Sequence, residues 1–183
     1  MRPSEEEAVA LHRRHGSPPA VVEHCRTVAK LSKILADECV VKKRAVDGSL
    51  AVSGALLHDI GRSKVQTVWH GVEGARILST EGVDDDVVEI VYRHVGAGIS
   101  PDEARALGFP DRDYIPRTLE QRIVCFSDKM VDSSRVRPFE EEVKRFVAKK
   151  HDVPRLLALK KGLADDLGED PESVIFDKIK ESQ

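Results

Sequence analysis

The sequence predicts an all-α fold, a bundle of helices. Three observations carry this expectation. Apolar residues recur at spacings of three and four rather than two. A capping side chain or a proline stands at the head of most apolar segments. No run shows the alternation of a half-buried strand.

Taken in order, Ser17, Pro18 and Pro19 read as an N-cap followed by helix-starting prolines, opening a helix to about Cys39. A second, strongly apolar helix is expected from Gly48 to Asp59, stopped by Gly61. His70 to Ser79 is a third and short one. Asp84 to Val95 is a fourth, with three acids in its first turn, where the helix dipole favours them. Ser100, Pro101 and Glu103 have the form of a capping box opening the next. Helices are further expected over Pro116–Val131, Pro138–Lys150, Pro154–Leu167 and Pro171–Lys180, each with a proline start. The polar or glycine-bearing segments 61–69 and 95–100 read as loops, and both adjoin histidines.

The 183 residues suffice for one domain with a real core. We expect a single helical domain over 1–183, its core at about 17–140 and a C-terminal helical appendage at about 150–183. Aromatics are only 4%, which argues against base-stacking platforms, and the net charge of −3 argues against nucleic acid as the main partner. The odd, widely spaced cysteines Cys25, Cys39 and Cys125 suit a reducing compartment. No apolar run reaches the length of a membrane span, and the acidic N-terminus lacks a signal-peptide core, so the cytoplasm is the expected location.

Polar residues fall at unexpected places on the apolar stripes. Val21, His24, Val28, Leu31 and Leu35 share one helix face. Val87, Ile90, Val91 and His94 share another, and Asp128 lies with Val124 and Val131 in an unusually apolar helix. His58 follows Leu50, Ala51, Gly54 and Ala55 at helical spacing, with Asp59 directly after it. One such histidine alone reads as a core residue satisfied by a carbonyl. The set reads differently. Imidazoles and carboxylates converging in a helical core are what a divalent cation requires, and a cation offsets the cost of burying Asp59. Asp59 is also a candidate bridge between two cations. His12, His15 and His151 lie in charged segments and read as solvated surface residues. His70 is open between ligand, cap and substrate contact, and Trp69 reads as packing.

His24, the pair His58-Asp59 and Asp128 resemble, in that order, the H…HD…D pattern of the HD superfamily of metal-dependent phosphohydrolases. "HDIG" at 58–61 is a common form of its central motif, and the resemblance covers roughly residues 17 to 140. "HGVEGARIL" (70–78) and "YRHVGAG" (92–98) resemble the further histidine motifs of the two-metal subgroups, such as the bacterial enzymes that hydrolyse diadenosine tetraphosphate. Residues 108–139 are similar to the end of the cyclic dinucleotide phosphodiesterases of that superfamily. There are departures. Val95 follows His94 where those phosphodiesterases pair two histidines, and Gly108-Phe109-Pro110 stands for their Gly-Tyr-Pro, which argues against cyclic di-GMP hydrolysis. Arg62 occupies the place after "HDIG" where many relatives carry lysine, and its planar fork suits phosphate better than proton donation.

The resemblance implies an HD-type helical bundle holding a divalent metal, with two ions expected. His24, His58, Asp59 and Asp128 would hold one, His70 and His94 would complete the second, and Asp59 would bridge. Iron, manganese or another first-row divalent ion is expected, since nitrogen and oxygen ligands do not choose sharply among them. Asp59, Arg62 and Lys64 are the candidate catalytic residues; Arg62, Lys64, Lys129 and Arg93 are the candidate substrate contacts. The implied reaction is hydrolysis of a phosphoester or phosphoanhydride in a small phosphorylated substrate, a nucleotide or a related compound. Two alternatives stand beside it: a di-iron oxygenase-type enzyme on the same fold, and a non-catalytic nucleotide-binding metal module. Oligomeric state is left open.

Overall fold

Helices begin where side chains satisfy their first free amides. In the computed structural model, which describes residues 1–182, Ser4 and Glu7 form a capping box for α1 (Glu5–His15), and left-handed Gly16 closes it. The long helix α2 (Pro19–Val41) follows. Ser17 does not cap it, because its hydroxyl lies 2.8 Å from His12 Nδ1. Asp47 caps α3 (Gly48–Leu57) through the amide of Leu50. This helix is buried on nearly every side, since α1, α2 and two later helices all pack on it. It ends two residues earlier than expected. His58 and Asp59 lie in a turn that leads into a short 3-10 turn, Ile60–Ser63.

Gly61 explains that turn. A Cβ there would fall 1.9 Å from the carbonyl oxygen of His70 and 2.5 Å from the amide of Gly74. The 3-10 turn crosses α4 (His70–Thr80) at backbone contact, and only glycine permits it. Gly71 and Gly74 play the matching part on α4, letting Val95 and Val91 close on it. α5 (Asp85–Arg93) is capped by Asp84, and α6 (Pro101–Ala106) by the Ser100–Glu103 box. α7 (Leu119–Lys129) starts later than Pro116 because Thr118 and Gln121 form its capping box.

A two-stranded hairpin, β1 (Val131–Asp132) with β2 (Arg135–Val136), corrects the expectation of no strand. Two residues per strand are too few for alternation to register in the sequence. α8 (Phe139–Ala148), α9 (Val153–Leu167) and α10 (Pro171–Glu181) complete the bundle. α10 lies against α2, and α9 against α7. Leu156, Leu163 and Ile175 are buried in the same apolar cluster as Val28 and Phe126. A second, smaller cluster joins Val72, Val95, Ile99, Phe109 and Tyr114, with Trp69 packed edge-on to Phe109. No helix among the described residues is long and apolar enough to cross a membrane.

His12 is not a surface residue. It is 1% exposed, and its Nε2 donates to the carbonyl of Leu56 at 2.9 Å while Nδ1 faces the Ser17 hydroxyl. The side chain ties α1 to the last turn of α3, next to His58. His15 is half-buried against Glu81, and only His151 is exposed.

Two substitutions check this framework. Gly61→Ala forces a backbone shift and is expected to cost about 3 kcal/mol, the upper range for overpacking, in urea unfolding with m unchanged. His12→Ala leaves the Leu56 carbonyl unsatisfied and is expected to cost about 1–3 kcal/mol in the same measurement.

Candidate metal centre

Five places in the chain bring six side chains together. His24 comes from the second turn of α2, and His58 and Asp59 from the turn after α3. His70 is the first residue of α4, His94 caps the end of α5, and Asp128 lies in the last turn of α7. All six are the residues singled out by pattern and resemblance. His58, Asp59, His70 and His94 are each 5% exposed or less.

Each imidazole is fixed by its backbone. Nδ1 of His58 donates to Ala55 O at 2.7 Å, that of His70 to Thr67 O at 2.7 Å, and that of His94 to Val91 O at 2.8 Å. Nδ1 of His24 donates to Ser133 O at 2.8 Å, a carbonyl presented by the left-handed tip of the β1–β2 hairpin. A carbonyl can only accept, so every Nδ1 carries its proton. With Nδ1 so committed, each ring turns its Nε2 inward, a lone pair whenever the ring is neutral.

Those nitrogens surround Asp59 from two sides. Oδ1 lies 3.2 Å from His70 Nε2 and 3.4 Å from His94 Nε2. Oδ2 lies 3.9 Å from His24 Nε2 and 3.8 Å from His58 Nε2. Asp128 Oδ1 completes the second side, 3.0 Å from His24 Nε2 and 3.5 Å from His58 Nε2. Two overlapping groups have the spacing to hold an ion each: His24, His58 and Asp59, and then Asp59, His70 and His94.

The arrangement fits a cation better than it fits protein alone. His58 Nε2 and Asp59 Oδ1 are buried without a hydrogen-bond partner. His70 Nε2 and His94 Nε2 face each other at 2.9 Å, with both Nδ1 protons already committed, so two lone pairs meet head-on. A divalent ion between such donors removes the conflict. Burial alone would raise the Asp59 carboxyl. The imidazoles of His58, His70 and His94 instead hold it well below the usual carboxylate range. Burial also works against charge on Asp128, and the Lys129 ammonium with His24 and His58 outweighs it. Burial, assisted by the neighbouring His58 and His70, depresses His94 to about 4 although Asp59 pulls the other way.

The expected cations separate into two groups. Arg62 Nε donates to Asp59 Oδ2 at 2.6 Å, and Lys129 Nζ donates to Asp128 Oδ2. Both line two adjoining cavities of about 330 and 370 Å³ that open beside the cluster. Lys64 and Arg93 line neither. Lys64 is exposed beyond the 3-10 turn. Arg93 is spent on Glu89, Asp113 and the Ile115 carbonyl, which hold the loop 113–115 to α5. These two therefore stand apart from the cations beside the cluster. Sequence reasoning also missed residues. Glu142 and Arg145 of α8 line both cavities, with the buried Oε2 of Glu142 3.1 Å from the Arg145 guanidinium. Their helix reads as an ordinary amphipathic one, and nothing in its pattern indicates what it faces.

The profile of the HD domain family matches residues 21–131, a span that contains all six clustered side chains. The chain belongs to the HD domain family. It is thus a member of the superfamily of metal-dependent phosphohydrolases. A relative from Methanocaldococcus jannaschii, named only as an uncharacterized protein, is 42% identical over 126 residues, covering 69% of this chain and 75% of that one. A protein of Picrophilus torridus named tRNA (cytidine(56)-2'-O)-methyltransferase is 34% identical over 177 residues, 96% of this chain and 50% of its own. Its namesake in Thermoplasma volcanium is 36% identical over 174 residues, 94% and 50% of the two chains. This chain therefore spans half the length of those two relatives. Among solved structures, the HD domain of the L. monocytogenes phosphodiesterase PgpH superposes with a TM-score of 0.60 at 18% identity, covering 94% of this chain and 99% of that one. The same domain in complex with cyclic-di-AMP gives 0.55, also at 18%, with coverage of 86% and 93%. These neighbours share the helical HD fold.

Fixed tautomers make a spectroscopic prediction. In chelator-treated protein, the His94 ring is expected to stay neutral until about pH 4, against about 6.5 for a free imidazole. Ring resonances followed by NMR would report this. Below pH 6.5 the unfolded chain then binds a proton that folded His94 refuses, so this residue's contribution to stability falls with pH down to about 4.

Proposed function

We propose that this HD domain is a metal-dependent phosphohydrolase acting on a nucleotide or a related small phosphate. The observation that carries the reading is the convergence of four backbone-locked imidazoles on the two oxygens of one buried aspartate. In this reading His24, His58, Asp59 and Asp128 hold one ion, and Asp59, His70 and His94 the other. Such ions supply Lewis acidity and a hydroxide at neutral pH.

The chain's own residues supply the rest. Asp59 divides its oxygens between the two histidine pairs and so keeps the halves of the site in register. The carbonyls at 55, 67, 91 and 133 hold each imidazole with Nε2 turned inward, so no ring must flip before it can bind. Arg62 and Lys129 stand in the cavity with their charges turned toward the cluster, placed to meet a phosphoryl group as charge builds on its oxygens. Arg62 presents a fork for two oxygens, Lys129 a single point of charge. Nucleotide as the substrate class is supported by those cations, and by the cyclic-di-AMP carried by a fold neighbour.

Protein purified without chelator is expected to hold two first-row divalent ions per chain and to release phosphate in a screen of nucleotides. His94→Ala is expected to retain one ion, and Asp59→Asn neither, by elemental analysis. Arg62→Ala is expected to keep both ions and to lose about 10²-fold in kcat, the scale of losing one charge-stabilising donor. Metal binding should expel protons, because the proton between His24 Nε2 and Asp128 occupies the position an ion would take. Calorimetry in buffers of different ionisation heat measures that release. No phosphate release from any substrate by fully loaded protein would remove the hydrolase reading.

A second reading rests on the two methyltransferase relatives, to half of which this chain corresponds. There the HD unit would act beside a tRNA-modifying enzyme, with a tRNA phosphate as its substrate. Including tRNA in the phosphate-release screen decides between the two.

A further inference from the structure

Next to the metal cavity lies a third space, of about 390 Å³, with a different character. Its walls are mainly apolar: the chain after His94, the end of α6, and Phe146 of α8. It is not a separate pocket. Val68, Val95, Gly96, Phe146 and His151 line both this recess and the cavity that holds His70, His94, Arg62 and Lys129. One trough thus runs from the cationic, carboxylate-rich centre into an apolar end.

The two ends are built as one piece. His94 is followed directly by the recess wall, and the Cys125 thiol is 3.5 Å from the carbonyls of both His94 and Gly96. Gly96 and Gly98 adopt left-handed conformations that fold this wall back on itself. The facing wall is α8, where Glu142, Arg145 and Phe146 fall at the spacing of one helix face, with Lys149 at its C-cap. Three of these are charged and lie along the metal cavity, while Phe146 is shared with the recess. At the far rim Arg155 is fixed by Gly98 O and Glu103, which leaves a polar edge around the apolar floor. This helix lies outside residues 21–131, the span matched by the family profile.

Resting on the phosphohydrolase reading, we propose that this recess binds the nucleobase of a nucleoside phosphate whose phosphoryl group sits at the metal centre. A flat ring with a polar edge suits an apolar floor with a polar rim, and the volume lies in the usual range for one small ligand group. The apolar lining is not needed for a simple inorganic or sugar phosphate.

The test uses the full, metal-loaded chain and two non-cleavable probes: a nucleoside phosphonate with carbon in place of the ester oxygen, and ribose phosphonate without a base. The nucleoside probe is expected to bind at least about tenfold more tightly by calorimetry, the value of one well-buried apolar group. Ala106 is exposed at the end of α6 and lines the recess, so Ala106→Trp fills it without disturbing the core. That variant is expected to keep its metal and its affinity for ribose phosphonate while losing the base-dependent gain. Equal binding of the two probes by the wild type, or a gain untouched in Ala106→Trp, overturns the assignment. Phosphate release measured on the same preparations keeps the two readings apart. Base-dependent binding without release supports the recess while counting against hydrolysis, and release with no base dependence does the reverse.

Discussion

A carboxylate that is 4% exposed, with one oxygen lacking any hydrogen bond, is the constraint around which this protein is arranged. Asp59 cannot be buried among neutral groups without a heavy desolvation cost. Four imidazoles and a guanidinium surround it, and each comes from a different element or turn. Placing them requires α2, α4 and α5 to meet the turn after α3 at close range. That closeness in turn requires Gly61 to touch the backbone of α4, where any side chain would collide. The glycine of "HDIG" thus has the same cause as the histidine and aspartate. The turn must be tight enough to put Asp59 between two pairs of rings.

The backbone carries more of this site than the side-chain pattern suggests. An imidazole free to flip presents either nitrogen. Here each is held by a carbonyl near the end of a helix or in a turn: residues 55 and 91 in last turns, 67 just before α4, 133 at a hairpin tip. Carbonyls at helix ends lack intrahelical partners and need a donor. The ring donor meets that need, so helix termination and ligand orientation are satisfied by one hydrogen bond. The hairpin gives the same service to His24, which has no helix end near it. Ser133 takes a left-handed conformation there, uncommon for a residue with a side chain.

Much of this was legible in the sequence, for a physical reason. His24, His94 and Asp128 sit on periodic apolar faces, and periodicity survives translation from sequence to structure because a helix face is local. The Ser100–Glu103 capping box was legible for the same reason. What was not legible depends on distant partners. His12 lies among Arg13, Arg14 and His15, a charged run, yet it is buried because Leu56 offers a carbonyl across the α1–α3 contact. Ser17 looks like a helix cap and serves His12 instead. Arg93 looks like a cation beside a ligand, but side chains at positions 93 and 94 leave a helix about 100° apart, so it points away to Glu89.

The same distinction falls near the end of the span that the family profile matches. The region matched by the family profile ends at residue 131, before α8 begins. Everything that fixes the imidazoles lies within that region or, through Ser133, just past its edge. The opposite wall of the cavity, with Glu142, Arg145 and Phe146, lies wholly beyond it. A centre whose ligands are oriented by backbone carbonyls does not depend on the chemistry of the wall facing it. Side chains on α8 can therefore change without loosening the rings, while any change in the turn at 58–61 moves ligand, carboxylate and helix contact together. Constraint is heaviest where backbone meets backbone. α8, by contrast, faces the site only with its side chains.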